Sequence, residues 1–447
     1  MSSDATIIGA GLAGCEAAWQ LAIRGFSVTL VDMKPAHRTP AHQLDTAAEL
    51  VCSNSLRGSA LFSAAGLLKA ELRQAGSLLL SVADETAVPA GNALAVDRHR
   101  FSNEVQRRLL AHPRITWRTE RVAQLPPEAP LIVATGPLTD GRFLETLLGD
   151  DSAFSYYDAI APLVAADSID WTRVYRKDRY EDDLESAAYV NCPFEKDAYY
   201  AFVDALLAAD KTPLHAFEDP VFFEGCLPVE EMARRGKDTL AHGPLKPVGL
   251  VDPRTGKRPF AVAQLRQEDA AQTAFNIVGF QTRLTQKAQQ EVFRMIPGLE
   301  NAVFERHGQV HRNTFIDAPR LLDPQLRLRQ HPHIRIAGQL SGVEGYVESM
   351  ASGLLSGLSL ACELRHNTTM PLPPPQTALG GIARHTQQAV PNYQPSNIVW
   401  AMIETPQRNK RQIGKRDFRK QCAERAVGLI ADWQQSVNQL APLAPGH

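Results

Sequence analysis

Residues 5–32 spell one complete folding unit, and nothing else in the chain restricts its architecture as much. Ala5-Thr6-Ile7-Ile8 is a short apolar run that reads as a buried strand. It feeds Gly9-Ala10-Gly11-Leu12-Ala13-Gly14, after which residues 16–22 read as a helix that Gly25 ends. Val28-Thr29-Leu30-Val31 then reads as a second strand closing on Asp32. In such a unit Gly9 makes the tight turn, Gly11 lets backbone approach a pyrophosphate, and Gly14 lets the helix pack close to the strand. The helix N-terminus stabilises the phosphate charge, and a carboxylate at Asp32 can take a ribose hydroxyl. The motif implies a dinucleotide and does not by itself separate FAD from NAD.

Two later segments favour FAD. Residues 130–137 read as a strand running into Ala134-Thr135-Gly136, and residues 333–339 as another strand ending at Gly338-Gln339. The second continues through Gly342, Gly345 and Tyr346 into an expected helix over 347–360. One half of the cofactor site thus stands at the start of the chain and the other near its end, which suits an extended FAD gripped at both ends. No second GxGxxG unit is present for a tightly held nicotinamide. The expected fold is α/β: a discontinuous Rossmann-like FAD-binding domain from residues 1–150 and 310–366, with an α+β insertion domain over 151–309. Residues 367–447 read as a proline-rich linker, Met370 to Pro375, and a basic helical tail.

Charge and cysteine content narrow the class. With 47 basic and 49 acidic residues among 447, the whole chain is not an electrostatic nucleic-acid binder. Residues 408–425, however, carry eight basic side chains against two acidic ones. A local basic surface of that kind suits either phosphate contact or a solvated helix face. No run approaches the roughly 18 apolar residues of a membrane helix, and the opening residues already read as a folded unit. A cytoplasmic protein is therefore expected. Six cysteines in so long a chain, with no CxxC pair, make neither a disulfide framework nor a metal site.

Among those cysteines, Cys15 and Cys362 read as buried small residues, and Cys422 lies in the basic segment. Cys52 follows an expected helix, in the polar loop Leu50-Val51-Cys52-Ser53-Asn54-Ser55-Leu56-Arg57-Gly58. Cys226 lies in the turn Gly225-Cys226-Leu227-Pro228, and Cys192 before Pro193 is a weaker case. A cysteine in a turn can be reached by substrate, and a nearby cation lowers its pKa toward thiolate. The residues alone leave open which of these is chemical and which structural.

Several blocks together resemble a known family. They are GAGLAGCEAAWQLA with Asp32-Met33-Lys34-Pro35, LVCSNSLRG, FFEGCLPVEEMARRGKDTLAHGPLKPVGL, DPRTGKRPFAVAQLRQED, HRNTFIDAP and AGQLSGVEGYVESMASGLLSG. The chain is similar, to about residue 430, to the folate- and FAD-dependent tRNA (uracil-5-)-methyltransferases. The resemblance implies formation of 5-methyluridine in the T-loop of tRNA, with the carbon from methylenetetrahydrofolate, electrons from reduced FAD, and NADH or NADPH to reduce the flavin. Asp32 stands where the family has the longer Glu. The resemblance implies a cofactor site of Gly9, Ala10, Gly11, Leu12, Ala13, Gly14, Asp32, Met33, Lys34, Ala134, Thr135, Gly136, Gly338, Gln339, Gly342, Gly345 and Tyr346. It also places Cys226 at the family's nucleophile position and Cys52 at the cysteine near the flavin, read here as the base.

The chemistry explains why those groups are needed. Carbon 5 of uracil is a poor nucleophile, and thiolate addition at carbon 6 turns it into an enolate carbon that attacks a one-carbon iminium. A base then removes the carbon 5 proton, elimination leaves an exocyclic methylene, and hydride from reduced flavin makes it methyl. A thiol serves as base only with a depressed pKa. RNA phosphate is expected at the basic segment and at Lys246, Arg254, Lys257, Arg258, Arg283 and Arg312. The folate residues stay open, with His215, His242 and His311 as polar candidates. The alternative reading is an FAD-dependent oxidoreductase acting on a small metabolite without RNA.

Overall fold

The first strand, Ala5–Ile8, is flanked on both sides by parallel partners, because its residues are apolar in both directions and both faces are covered. The computed structural model describes residues 3–126, 129–149, 153–179, 187–213, 227–390, 393–409 and 411–446. The parallel sheet has five strands in the order Ile334–Ile336, Leu131–Val133, Ala5–Ile8, Val28–Asp32 and Ile115–Thr119. One strand of this Rossmann-like sheet thus arrives from more than 300 positions downstream, pairing Ile334 with Leu131.

The helix that follows it, Tyr346–His366, lies directly on the first helix, Leu12–Ala22. Small residues permit this. A Cβ on Gly353 would stand 2.2 Å from the Ala13 carbonyl oxygen, and one on Gly357 would stand 2.9 Å from that of Ala17. The two halves of the domain are therefore joined backbone to backbone.

A two-stranded antiparallel ribbon, Ala153–Ala159 with Val310–Ile316, leads out of this domain and back. Beyond it stands a six-stranded antiparallel sheet, ordered Tyr175–Arg176, Tyr189–Phe194, Ala261–Gln267, Ala274–Ile277, Leu163–Ala165 and Phe304–Arg306. Helices Lys196–Ala208 and Gln286–Phe293 cover it with an aromatic core of Phe194, Tyr199, Phe202, Phe280 and Phe293.

The C-terminal segment carries the expected basic helix, Lys415–Leu440, and both it and the proline-rich segment pack on the first domain. Met370 is buried, and Trp433 Nε1 donates to the Pro371 carbonyl at 2.7 Å. The helix Lys415–Leu440 buries Ala423, Ala426, Ile430, Trp433 and Val437 in the core of the first domain. Its apolar residues recur at helical spacing, so one face docks and the basic residues are left on the others.

Candidate functional site

Every residue expected to touch the cofactor lies at or just beyond the carboxyl ends of the parallel strands, where open α/β sheets bind their ligands. Gly9 leaves the first strand at φ +102°, and a Cβ there would stand 2.4 Å from the Ala134 carbonyl oxygen. The loop holding Ala134, Thr135 and Gly136 thus presses on the glycine turn. Ala10 and Lys34 both donate their backbone N–H to the Asp32 carboxylate, at 2.7 and 2.9 Å, which fixes the turn against the second strand end. Met33 is half-buried between them, and Lys34 turns inward, its Nζ donating to the Thr46 carbonyl at 2.5 Å.

The fit to an anionic dinucleotide can be read from what is left open. Helix Leu12–Ala22 begins at Gly11 with no side-chain cap and no acid in its first turn. A Cβ on Gly11 would meet nothing of the chain within 4 Å. Free backbone N–H groups facing such a space form an anion site, so these residues fit the pyrophosphate of FAD. The return segment closes the other end: Gly338 donates its N–H to Ser352 Oγ at 3.0 Å, and Gly342 and Gly345 flank the start of the long helix at Tyr346.

Cys52 lies at this second end. The segment before it is not the expected helix. The Glu49 carboxylate accepts the backbone N–H groups of Gln43 and Leu44, and Ala48 has φ +51°, so bends replace helical turns. The Tyr346 phenol oxygen accepts the N–H of Cys52 at 2.7 Å and of Ser53 at 3.1 Å. Arg306 donates to the carbonyls of Val51 and Cys52, at 3.2 and 2.8 Å. Arg98 donates to the Leu50 carbonyl and pairs with Glu268 at 2.8 Å, while Arg266 holds Ser53 Oγ at 3.0 Å. Residues of both domains therefore clamp the stretch from Leu50 to Ser53.

The thiol sits between opposite charges. Burial pushes it up to about 12; Asp158 and Glu344 add to the rise, and Arg306 and Arg98 oppose it. The depressed pKa expected of a thiol base is not found in the chain by itself. Across from it, Glu344 accepts hydrogen bonds from the Tyr156 hydroxyl and from Gln339 Nε2. Asn313 Nδ2 reaches the Tyr156 oxygen at 3.3 Å and the Asp158 carboxylate at 3.5 Å. Burial, with Asp158 nearby, pushes the Glu344 carboxyl up to about 8, so it holds a proton at neutral pH.

The remaining candidates separate clearly. Cys226 and His215 lie outside the described residues. Cys192 is fully buried in the middle of the insertion sheet opposite Ala263, and burial raises its thiol far above the usual range, so it is a core residue. Cys15 and Cys362 are buried, as expected. Arg254 is not a free phosphate contact: it pairs with Asp252 at 2.8 Å and binds the carbonyls of Thr172, Arg173 and Val174. Arg283 pairs with Glu231 at 2.8 Å. On the C-terminal helix, the guanidinium of Arg416 lies 4.5 Å from the Phe62 ring centre and that of Arg419 5.4 Å from that of Trp400.

The sequence did not point to Tyr156, Asp158, Glu344, Arg98 or Arg306. Glu344 carried the one available signal, an acid two residues before Tyr346 in an otherwise apolar and glycine-rich return. The arginines carried none, because their partners lie up to 255 positions away.

Comparison with known proteins follows this geometry. Residues 4–368 match the model of a family described as glucose inhibited division protein A. A methylenetetrahydrofolate–tRNA-(uracil-5-)-methyltransferase TrmFO of Geobacter sulfurreducens is 52% identical over 440 residues, covering 98% of this chain and 100% of the relative. The protein of the same name from Syntrophus aciditrophicus is 48% identical over 435 residues, covering 97% and 98%. Among solved structures, two crystal forms of Aquifex aeolicus GidA superpose with TM-scores of 0.69 and 0.70 at 15% identity. They cover 99% and 100% of this chain, and 74% and 77% of theirs, and share its fold.

Proposed function

The chain belongs to the TrmFO family of methylenetetrahydrofolate–tRNA-(uracil-5-)-methyltransferases, and from that premise we propose how its residues divide the reaction. It is an enzyme that methylates carbon 5 of a uridine in tRNA with a carbon from methylenetetrahydrofolate, using FAD. A flavin oxidoreductase of small metabolites is set aside, since the relatives match along nearly the whole chain.

When bound, FAD supplies the hydride that completes the methyl group. The chain supplies the rest. Gly9 to Gly14 and Asp32 hold the nucleotide end, and Ala134 to Gly136, Gly338, Gln339 and Gly342 to Tyr346 line the flavin end. Cys226 is the nucleophile: its sulfur bonds to carbon 6 and moves the ring π electrons into an enolate. The enolate pair bonds carbon 5 to the one-carbon unit. Cys52 is then the proton acceptor: the carbon 5 proton passes to its sulfur, and the C–H electron pair forms the second, exocyclic C=C bond as the donor nitrogen leaves with the electrons of its C–N bond. The target is the T-loop uridine, and NADH or NADPH serves as the external reductant. RNA phosphate lies along the basic face of helix Lys415–Leu440, and the reaction belongs to the cytoplasm. Among the described residues no helix is long and apolar enough to cross a membrane.

The observation that carries this division is that residues of both domains hold the Cys52 loop against Tyr346 of the return segment. Trapping with tRNA that contains 5-fluorouridine tests it. Wild type forms a covalent protein–RNA adduct, Cys226→Ala forms none, and Cys52→Ala forms the adduct but does not methylate normal tRNA. An adduct with Cys226→Ala, or undiminished methylation by Cys52→Ala, would reverse the assignment.

A further inference from the structure

Arg306 ends the last strand of the insertion sheet and is 8% exposed. A buried guanidinium is ordinarily matched by a carboxylate, because removing the charge from water is costly. Arg98 beside it follows this rule through Glu268. Arg306 does not: among the described residues no carboxylate lies within ion-pair distance of it. Its Nη atoms reach only the Val51 and Cys52 carbonyls, and its buried Nε has no partner. Burial and Arg98, against the opposing pull of the more distant Glu268, bring its pKa down to about 10, which still leaves it cationic at neutral pH.

We propose that Arg306 is the positioning residue that lets Cys52 release and regain its proton, its unmatched charge being reserved for the thiolate. The geometry supports this directly, since the guanidinium is anchored on the carbonyl of the very residue whose sulfur must carry the charge. Arg266, the other buried guanidinium on this loop without a carboxylate among the described residues, spends its Nε and Nη2 on Asn54 Oδ1 and Ser53 Oγ. From the start of helix Arg98–Ala111, Arg98 is already paired with Glu268, just past strand Ala261–Gln267. From the ribbon, Asp158 opposes ionisation, and His311 is held below its usual pKa by burial and by Arg306 itself. From the return segment, Glu344 opposes ionisation, and the Tyr346 phenol is held neutral by burial. A thiolate formed here has in Arg306 a cation that is anchored on its own residue's carbonyl.

The inference rests on Cys52 as proton acceptor, and its test does not use turnover. The full chain, with and without FAD, is alkylated by iodoacetamide over a pH series, and modification of Cys52 is followed by peptide mass spectrometry. Arg306→Gln keeps an amide donor for the carbonyl and removes the charge; Arg306→Lys keeps the charge. Below the thiol midpoint the Gln variant should alkylate Cys52 about tenfold more slowly or worse, with the midpoint moved to higher pH, while Lys stays near wild type. Cys422, on the far helix, should react equally in all three. A Gln variant with the wild-type profile overturns the proposal. So does a wild-type Cys52 that is not alkylated at any pH even without flavin, because a proton-exchanging sulfur must be reachable. If Cys52→Ala still methylates while the Gln shift is seen, the role of Cys52 fails and the effect of Arg306 on its thiol stands.

Discussion

The Tyr346 phenol oxygen receives the backbone N–H of Cys52 at 2.7 Å, tying the start of the long return helix to a loop 294 positions earlier. It receives the Ser53 N–H as well. Tyr346→Phe keeps the ring and strands both donors, a loss of about 1–3 kcal/mol for each buried group left unpaired. The variant should melt at lower temperature, bind flavin more weakly and methylate more slowly. Unchanged flavin affinity and turnover would show that the Cys52 loop is held by its arginines alone.

The glycine turn yields a paired prediction. Gly9→Ala places a methyl group 2.4 Å from the Ala134 oxygen at a φ of +102°, so it should weaken the fold itself as well as flavin binding. Gly11→Ala meets no atom of the chain within 4 Å, so the flavin-free protein should melt like wild type. If pyrophosphate occupies that space, Gly11→Ala should nevertheless purify with little or no yellow colour. Full flavin content in Gly11→Ala would move the phosphate elsewhere.

Glu344 makes stability depend on pH. Its carboxyl is pushed from 4.5 to about 8, mainly by burial. Between those values the unfolded chain has lost the proton and the folded chain keeps it, so stability falls as pH rises through this window. Glu344→Gln, neutral throughout, removes that loss. Urea midpoints of variant and wild type should be similar near pH 4.5 and separate in favour of the variant toward pH 8. A constant difference across the series would mean that Glu344 is ionised in the folded protein.

What could be read in advance was whatever local pattern dictates. The strand at 5–8, the glycine turn, the second strand ending on Asp32 and the late return through Gly338 all depend on neighbours in sequence, and all stand where expected. The segment before Cys52 failed because Glu49 spends its carboxylate on the backbone of Gln43 and Leu44, a competition that helical periodicity does not reveal. Arg254 failed for the opposite reason: its carboxylate partner, Asp252, is local, but the three carbonyls that complete its clamp are some 80 positions away. The charge balance around Cys52 was illegible altogether, since it is assembled from six separate segments that only the closed fold brings together.

The C-terminal helix offers the remaining test, because its arginines serve two purposes that can be told apart. Arg416 and Arg419 pack on Phe62 and Trp400, and Trp400 Nε1 donates to the Phe62 carbonyl at 2.9 Å, so one aromatic pair anchors the basic face. Phe62 follows the Cys52 loop by ten positions in the chain. Changing both arginines to Gln should cost about 0.5–1 kcal/mol of stability for each lost cation–π contact. If both also hold phosphate, the slope of log affinity for tRNA against log salt should fall by about 1.4 to 1.8. Lys415→Gln touches no aromatic ring and should reduce the slope by under about one unit without lowering the melting temperature. Stability lost with the salt slope unchanged would make this face purely structural, and tRNA would then have to approach from the insertion domain.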